Sequence, residues 1–201
     1  NIMPATAFEH WDYTLREWDG PFKKLLLQIE PPKVVYDVGA NVGGFTKVVL
    51  NLWFPEVHAF EPVERNYKAF EEYIGEDATL HKFGIYYGFR DSHVQSRGDG
   101  NIGAFFVEHI NAGEPRITDA EIIQLRTFEE LDIPKPDLIK MDIEGAEENV
   151  LEFSDVCREC PNLIIEWHPP VEPVAFFKKH LPNHRIVDSI DNIQFLLCKS
   201  Q

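Results

Sequence analysis

The segment Val34-Val-Tyr-Asp-Val-Gly-Ala-Asn-Val-Gly43 sets the architecture of this chain: five strand-forming residues run into a turn that carries two glycines. The first five residues predict a buried strand, because a strand covered on both faces is apolar almost throughout. Gly39 and Gly43 predict a tight turn at which a ligand can approach the backbone. The apolar spacing of Phe45–Leu52 predicts the helix that follows, so the segment opens a βαβ unit.

Strands and helices continue to alternate towards the C-terminus. The predicted strands after the first are Val57–Glu61, Thr79–Ile85, Ile122–Arg126, Asp137–Asp142, Asn162–Trp167, Arg185–Ser189 and Ile193–Cys198. The predicted helices after the first crossover are Glu64–Ile74, Ala146–Phe153 and Val174–His180. This alternation predicts a doubly wound α/β fold with a mostly parallel sheet, and the last two strands predict a C-terminal antiparallel hairpin.

Two regions depart from the alternation. Residues 1–30 predict an N-terminal helical segment, which Pro31-Pro32 ends. Residues 86–113 are glycine-rich, with alternating polar and aromatic residues, which predicts irregular hairpins or a mobile surface insertion. Because no repeat or linker interrupts the chain, we expect one domain over residues 1–201. The sequence starts at Asn1, so the presence of a preceding targeting or partner region is left open.

Composition narrows the partners. The 201 residues include 34 acidic and 19 basic side chains, which give a formal net charge of −15. Such a charge repels phosphate backbones and anionic lipids, so we expect neither nucleic acid nor membrane as a partner. The three cysteines do not form a disulfide framework, and no signal peptide opens the chain, which together favour a cytoplasmic location.

The ends of the first two strands carry the cofactor prediction. In open α/β sheets ligands bind beyond the carboxyl ends of the strands, where Glu61 is placed to accept hydrogen bonds from ribose hydroxyls. The turn lacks the G-x-G-x-x-G spacing of nicotinamide-binding proteins. We expect the Asp37 carboxylate at the mouth of the turn, where it repels a pyrophosphate and attracts an ammonium group. S-adenosylmethionine is therefore favoured over a dinucleotide; the alternative is a purely structural turn with a solvated Glu61.

A second group of polar residues lies at the ends of the predicted strands Asp137–Asp142 and Asn162–Trp167. Asp142 and Glu144 end one strand, and Glu166 and His168 end the next, so we expect them on one rim. His168 is the candidate general base, because its ordinary pKa near ~6.5 suits proton abstraction at neutral pH. Asp142 assists it, while Glu144, Glu166 and Lys140 orient the acceptor. The alternatives are that Glu144, like Glu147, caps the following helix, and that His168 is only hydrogen-bonded within its loop.

Metal binding stays open at this point. Asp142, Glu166 and His168 are the possible ligands of one divalent metal with free coordination positions. Cys157-Arg-Glu-Cys160 is a C-x-x-C motif, but a zinc site needs a second pair and only Cys198 remains. We therefore interpret the cysteines as ordinary thiols.

Taken together, the motifs resemble those of the FkbM-type methyltransferases, a class I S-adenosylmethionine-dependent family. The segments that carry the resemblance are Asp37–Thr46, Ala59–Pro62, Arg126–Leu131, Asp137–Glu147 and Ile164–His168. The resemblance implies a Rossmann-like methyltransferase fold with a seven-stranded sheet. It also implies methyl transfer to an oxygen, often a hydroxyl of a sugar or natural product, so the expected partner is a small hydroxyl-bearing acceptor.

The resemblance also implies which residues bind the cofactor. Carried over by position, they are Asp37, Gly39, Asn41 and Gly43 for the methionine part, Glu61 and Pro62 for the ribose, and Phe83, Gly84 and Ile85 near the adenine. Trp167 and the insertion at 86–113 depart from the family pattern, and both bear on the acceptor. Two rival functions are a nicotinamide-dependent oxidoreductase and a non-catalytic binding module of the same fold.

Overall fold

The computed structural model describes residues 7–88, 90–96, 104–107, 120–168, 172–190 and 195–201. Its helices are α1 (Ala7–Asp19), α2 (Lys23–Leu26), α3 (Gly44–Trp53), α4 (Glu64–Tyr73), α5 (Glu147–Phe153), α6 (Asp155–Glu159) and α7 (Pro173–His180). Its strands are β1 (Val34–Val38), β2 (Glu56–Phe60), β3 (Thr79–His81), β4 (Gly84–Ile85), β5 (Asp91–Ser96), β6 (Ala104–Val107), β7 (Ala120–Arg126), β8 (Leu138–Met141), β9 (Asn162–Glu166), β10 (His184–Ile190) and β11 (Phe195–Ser200).

Seven strands form the main sheet in the order β10-β11-β9-β8-β1-β2-β3. The pairs from β3 to β9 are parallel, whereas β11 runs antiparallel to both β9 and β10. The predicted doubly wound sheet with a C-terminal antiparallel hairpin is therefore confirmed, although residues 191–194 at the tip of the hairpin lie outside the described residues. Strand order reverses between β1 and β8, which places a ligand-binding crevice at their carboxyl ends.

Neighbouring residues of each central strand pack on opposite faces of this sheet. In β1, Val35 belongs to a buried cluster with residues of α2, α3 and α4, whereas Tyr36 belongs to a second cluster with residues of α5, α6 and α7. Both faces are covered, which explains why β1, β8 and β9 are apolar almost throughout. The same packing buries all three cysteines, as expected for ordinary thiols.

The N-terminal helix α1 packs across the start of α3. Trp18 contacts the rings of Phe22, Phe45 and Phe195 at centroid distances of 5.1, 4.7 and 6.1 Å. A Cβ atom on Gly44 would lie 2.5 Å from the Thr14 hydroxyl, so a glycine is required where the two helices meet. The described part of the N-terminal segment thus covers the glycine turn. Among the described helices, none has the length and apolar character needed to cross a membrane.

A second sheet replaces part of two predicted elements. The predicted strand Thr79–Ile85 is in fact two: β3 ends in the main sheet at His81, and β4 pairs in parallel with β7 in a sheet of order β4-β7-β5-β6. Within residues 86–113, β5 and β6 form an antiparallel pair, in line with the hairpin alternative of the prediction. The sequence did not indicate that β5 also pairs with β7. Residues 97–103 and 108–119 lie outside the described residues.

Candidate active site

The glycine turn lies at the reversal point between β1 and β8. Gly39, Asn41 and Gly43 have φ values of +75°, +52° and +94°, in the left-handed region where side chains other than glycine and asparagine are strained. A Cβ atom on Gly39 would lie 1.8 Å from the carbonyl oxygen of Asp142. Close contact between two backbone segments therefore requires Gly39, and this contact joins the ends of β1 and β8.

Asp37 lies beneath the turn rather than at its mouth. Its carboxylate is fully buried, accepts a hydrogen bond from the Thr46 hydroxyl at 2.7 Å and lies 3.3 Å from the Lys140 Nζ atom. Lys140 also donates to the Gly39 carbonyl at 2.7 Å. Burial lowers the pKa of Lys140, but the charges of Asp37 and Asp142 raise it by more than burial lowers it. The resulting pKa lies above the ordinary value for lysine.

Two expectations therefore need correction. The Asp37 carboxylate does not face a ligand directly, because β1 directs it towards α3 and Lys140. Lys140 does not reach an acceptor, because its ammonium group is held under the turn. These two residues form a buried ion pair that supports the Gly39 carbonyl.

Glu61 follows β2 and faces the turn. Its Oε2 accepts a hydrogen bond from the Asn41 backbone N–H at 2.8 Å, and its Oε1 accepts from the Val63 N–H at 2.9 Å. The side chain of Asn66 also donates to Oε1, at 3.4 Å. Burial raises the pKa of Glu61 to about 7, against the lowering effect of these hydrogen bonds and of Lys140.

A cavity opens beside Glu61 at the carboxyl edge of the sheet. The cavity has a volume of about 100 Å³ and is continuous with open solvent. The predicted site residues that line it are Gly39, Asn41, Glu61, Pro62, Gly84, Ile85, Asp142 and Glu144. Further lining residues are Val38, Phe60, Val63, Asn66, Ile123, Leu125, Ile143 and Ala146. The cavity thus joins the predicted cofactor edge to two of the predicted acceptor-side carboxylates.

Other predicted residues contact their surroundings without lining this cavity. Gly43 begins α3, and a Cβ atom there would lie 2.6 Å from Ile74, so its part is close helix packing. Phe83 packs against Phe60 and lies under the guanidinium of Arg126, 4.8 Å from the ring centroid. Gly43 and Phe83 are therefore packing residues next to the cavity and do not line it.

His168 lies at the rim among three carboxylates. Its Nδ1 atom is 3.0 Å from Glu147 Oε1, and its Nε2 atom is 3.7 Å from Glu144 and 4.0 Å from Glu166. Burial lowers the pKa of His168, but the hydrogen bond and charge of Glu147, with Asp142 and Glu166, raise it to about 9. The pKa of His168 therefore lies above the ordinary value of about 6.5 on which the prediction of a general base depended.

The possible metal ligands also differ from the expected set. Ligand atoms of Asp142, Glu147 and His168 lie within 4.8 Å of one another, so Glu147 takes the place expected for Glu166. Glu147 is buried at the start of α5 and accepts hydrogen bonds from the backbone N–H groups of Ile143 and Gly145, at 2.9 and 3.0 Å. It fixes the loop that carries Asp142 and Glu144.

Sequence reasoning missed Asn66 and gave Glu147 only a capping role. Asn66 lies in the first turn of α4, five residues after Glu61. A polar side chain this soon after a strand end is a candidate site residue that the sequence alone offers. The contact between Glu147 and His168 spans 21 residues and two elements, so no local pattern indicates it.

Solved structures share this fold. An FkbM methyltransferase from Methylobacillus flagellatus KT aligns with a TM-score of 0.58 and 16% identity over 98% of this chain and 56% of that one. The ribosomal protein L11 methylase of Lactobacillus delbrueckii subsp. bulgaricus gives 0.53 and 13%, over 97% and 79%. Magnesium protoporphyrin IX methyltransferase from Synechocystis PCC 6803, solved with S-adenosylmethionine, gives 0.52 and 12%, over 100% and 86%. At these identities the likeness concerns the fold.

The sequence itself identifies the family. The chain spans little more than half the length of the Methylobacillus protein, and no curated protein matches it significantly. The family profile described as the methyltransferase FkbM domain matches residues 37–191, which is more than half of the chain. The matched range contains the glycine turn, Glu61, Asp142 and His168. The chain therefore belongs to the FkbM methyltransferase family.

Proposed function

We propose that this chain is an S-adenosylmethionine-dependent O-methyltransferase whose acceptor is a hydroxyl of a sugar or of a natural-product-like small molecule. One observation carries the proposal. The cavity at the reversal point has a carboxylate suited to ribose, Glu61, on one side, and Asp142 and Glu144 on the other. Carboxylates on both sides fit a cationic, hydroxyl-bearing donor and a hydroxyl-bearing acceptor better than they fit a pyrophosphate.

The proposed donor site follows the cavity wall. Glu61 accepts hydrogen bonds from the ribose, while Phe60, Pro62 and Ile85 supply apolar surface for the adenine. The backbone of the Gly39–Asn41 turn holds the methionine part, and the buried pair below it keeps the Gly39 carbonyl in place. Bound S-adenosylmethionine supplies an electrophilic methyl group, which joins the acceptor oxygen as its bond to sulfur breaks.

The acceptor hydroxyl must lose its proton during transfer. Asp142 lines the cavity, whereas His168 is not among the lining residues and has a pKa that neighbouring carboxylates raise, so we assign the proton to Asp142. Lys140, 3.8 Å away, and His168 balance its charge. Glu144 and Glu166 then orient the acceptor through its other hydroxyls. The contribution of the protein is mainly positioning of the two reactants.

Two measurements test this assignment. We expect the wild-type protein to bind S-adenosylhomocysteine in calorimetry and to transfer a tritiated methyl group from S-adenosylmethionine to a hydroxylated compound. We expect Asp142→Asn to lower turnover by at least about a hundredfold, as typical of a general base, with cofactor affinity retained. The exposed Asp132→Asn is the matched control. Unchanged turnover in Asp142→Asn refutes the role of Asp142.

The pH profile separates the two candidate bases. With His168 as base, kcat rises about tenfold per pH unit towards its pKa of about 9. A rising limb that His168→Asn removes would therefore transfer the role of base to His168.

Two rival functions make different predictions. An oxidoreductase is stabilised by NADH in a thermal-shift assay and not by S-adenosylhomocysteine. A non-catalytic module binds S-adenosylhomocysteine but transfers no methyl group to any hydroxylated compound. Family membership favours the methyltransferase over the first rival.

A divalent metal is a second candidate occupant of the rim, because Asp142, Glu147 and His168 converge there. Carboxylate and imidazole ligands suit manganese or iron. We expect a metal site to bind Mn²⁺ in calorimetry and to lose it in Glu147→Gln. It should also lose activity on dialysis against EDTA. Activity that persists in EDTA, together with no Mn²⁺ heat, rejects the metal.

A further inference from the structure

Asn66 is a buried amide in the wall of the cavity. It lies in the first turn of α4, its side chain is 4% exposed, and it contributes to the cavity lining beside Glu61. Its Nδ2 atom donates to Glu61 Oε1 at 3.4 Å. Its Oδ1 atom is buried and has no hydrogen-bond donor among the described residues.

The orientation of this amide follows from the chemistry of its neighbour. An ionised carboxylate can only accept hydrogen bonds, so the NH₂ group of Asn66 must face Glu61 and the carbonyl oxygen must face away from it. Buried side-chain acceptors in native proteins nearly always find a donor. An unpartnered oxygen at the wall of a ligand cavity therefore indicates that the ligand brings the donor.

The nearest donor follows from the proposed function. Glu61 is the proposed site of the ribose, and a ribose carries two neighbouring hydroxyl groups. Glu61 already accepts hydrogen bonds from the backbone of Asn41 and Val63, so part of its accepting capacity is used. Because Asn66 is hydrogen-bonded to Glu61 through Nδ2, its Oδ1 atom is a second acceptor close to Glu61, and it matches the second ribose hydroxyl.

We propose that Asn66 is a cofactor-positioning residue, whose Oδ1 atom accepts a hydrogen bond from one ribose hydroxyl of the adenosyl group while Glu61 accepts from the other. This inference rests on the proposed function. It makes Asn66 a specificity residue for cofactors with an intact ribose, and it gives Asn66 a second task, which is to hold Glu61 in place.

A thermodynamic cycle tests the contact. Calorimetry is used to measure the Kd of S-adenosylhomocysteine and of its 2′-deoxy and 3′-deoxy analogues, with wild type, Asn66→Ala and the exposed control Asn51→Ala. We expect Asn66→Ala to weaken S-adenosylhomocysteine binding by about five- to tenfold, as for one lost hydrogen bond. One of the two deoxy analogues should bind wild type and Asn66→Ala equally, and Asn51→Ala should match wild type throughout.

Four outcomes overturn the inference. If wild type and Asn66→Ala bind S-adenosylhomocysteine with equal affinity, Asn66 makes no hydrogen bond to the ribose. An equal loss for all three ligands reduces Asn66 to a structural role. If Asn66→Ala does not fold, wild type alone decides, since a deoxy analogue that binds as tightly as S-adenosylhomocysteine contradicts a hydrogen bond to each hydroxyl. If wild type does not bind S-adenosylhomocysteine at all, the proposed function fails, and the inference fails with it.

Discussion

Replacing Glu61 with glutamine should change stability and cofactor binding in opposite directions. Burial moves the pKa of Glu61 from 4.5 to about 7 in the folded, ligand-free protein. A folded-state pKa above the unfolded value gives a stabilisation that is complete below pH 4.5 and is lost as the pH rises through 7. By pH 8 the loss amounts to about 3 kcal/mol, at 1.36 kcal/mol per pKa unit.

Glutamine cannot ionise and so avoids this cost, but it has one acceptor oxygen where the carboxylate has two. One of the backbone N–H groups of Asn41 and Val63 therefore loses its partner, at about 1 kcal/mol. We expect Glu61→Gln to match wild type in unfolding free energy near pH 5 and to exceed it by about 2 kcal/mol at pH 8.

Binding of the cofactor should show the same titration with the opposite consequence. If ribose hydroxyls donate to the ionised carboxylate, a pKa of about 7 makes the Kd of S-adenosylhomocysteine fall about tenfold from pH 6 to pH 8. Glu61→Gln should bind more weakly and without this pH dependence.

Urea titrations at pH 5 and pH 8 and calorimetry at pH 6 and pH 8 measure both effects, and the exposed Glu72→Gln is the matched control. The reasoning is refuted if Glu61→Gln is no more stable than wild type at pH 8. A Kd of wild type that does not depend on pH refutes it equally.

Three other changes test the site from different directions. Gly39→Ala should abolish cofactor binding and lower the free energy of unfolding in urea by more than about 3 kcal/mol, because its Cβ atom would lie 1.8 Å from the Asp142 carbonyl oxygen. The control Gly75→Ala, at φ +62° but with open space around the new Cβ atom, should lower it by about 1 kcal/mol. Similar losses of unfolding free energy in the two variants would contradict the steric argument. The unfolding free energy of wild type should fall relative to that of His168→Asn as the pH rises through about 9, because the raised pKa of His168 stabilises the fold fully only below pH 6.5. If the two proteins show the same dependence of unfolding free energy on pH in urea titrations, the carboxylates do not raise the pKa of His168. Cys157, whose pKa burial raises to about 12, should react with Ellman's reagent at pH 8 only after unfolding, and a fast reaction of the native protein would show that its burial is incomplete.

The main sheet could be predicted because its central strands are buried on both faces. Such strands appear as short apolar runs, and the turns between them carry glycine or proline at their ends. The position of Glu61 followed from the same logic, since a residue that ends a parallel strand lies at the ligand-binding edge. The division of the predicted strand Thr79–Ile85 into β3 and β4 was missed, because Gly84 and Ile85 join a different sheet only through pairing with β7.

The details of the site depended on contacts that no local pattern reveals. Asp37 was placed on the correct edge of the sheet, but side chains alternate along a strand, and its carboxylate points towards Thr46 and Lys140 instead of the cavity. The protonation of His168 depends on Glu147, which a helix and a strand separate from it along the chain. Sequence reasoning therefore predicted the edge of the sheet at which the cavity lies, but not the partners of the charged side chains there.

The small second sheet has a consequence for how this protein can diverge. The Gly39 turn and Glu61 are carried by the main sheet, whereas Ile123 and Leu125, which also line the cavity, are carried by β7 of the second sheet. Ile123 and Leu125 pack in one cluster with Val63, whose backbone N–H donates to Glu61. Substitutions in β7 can therefore change the shape of the cavity and the surroundings of Glu61 together, so the two sheets are constrained to diverge in concert at this site.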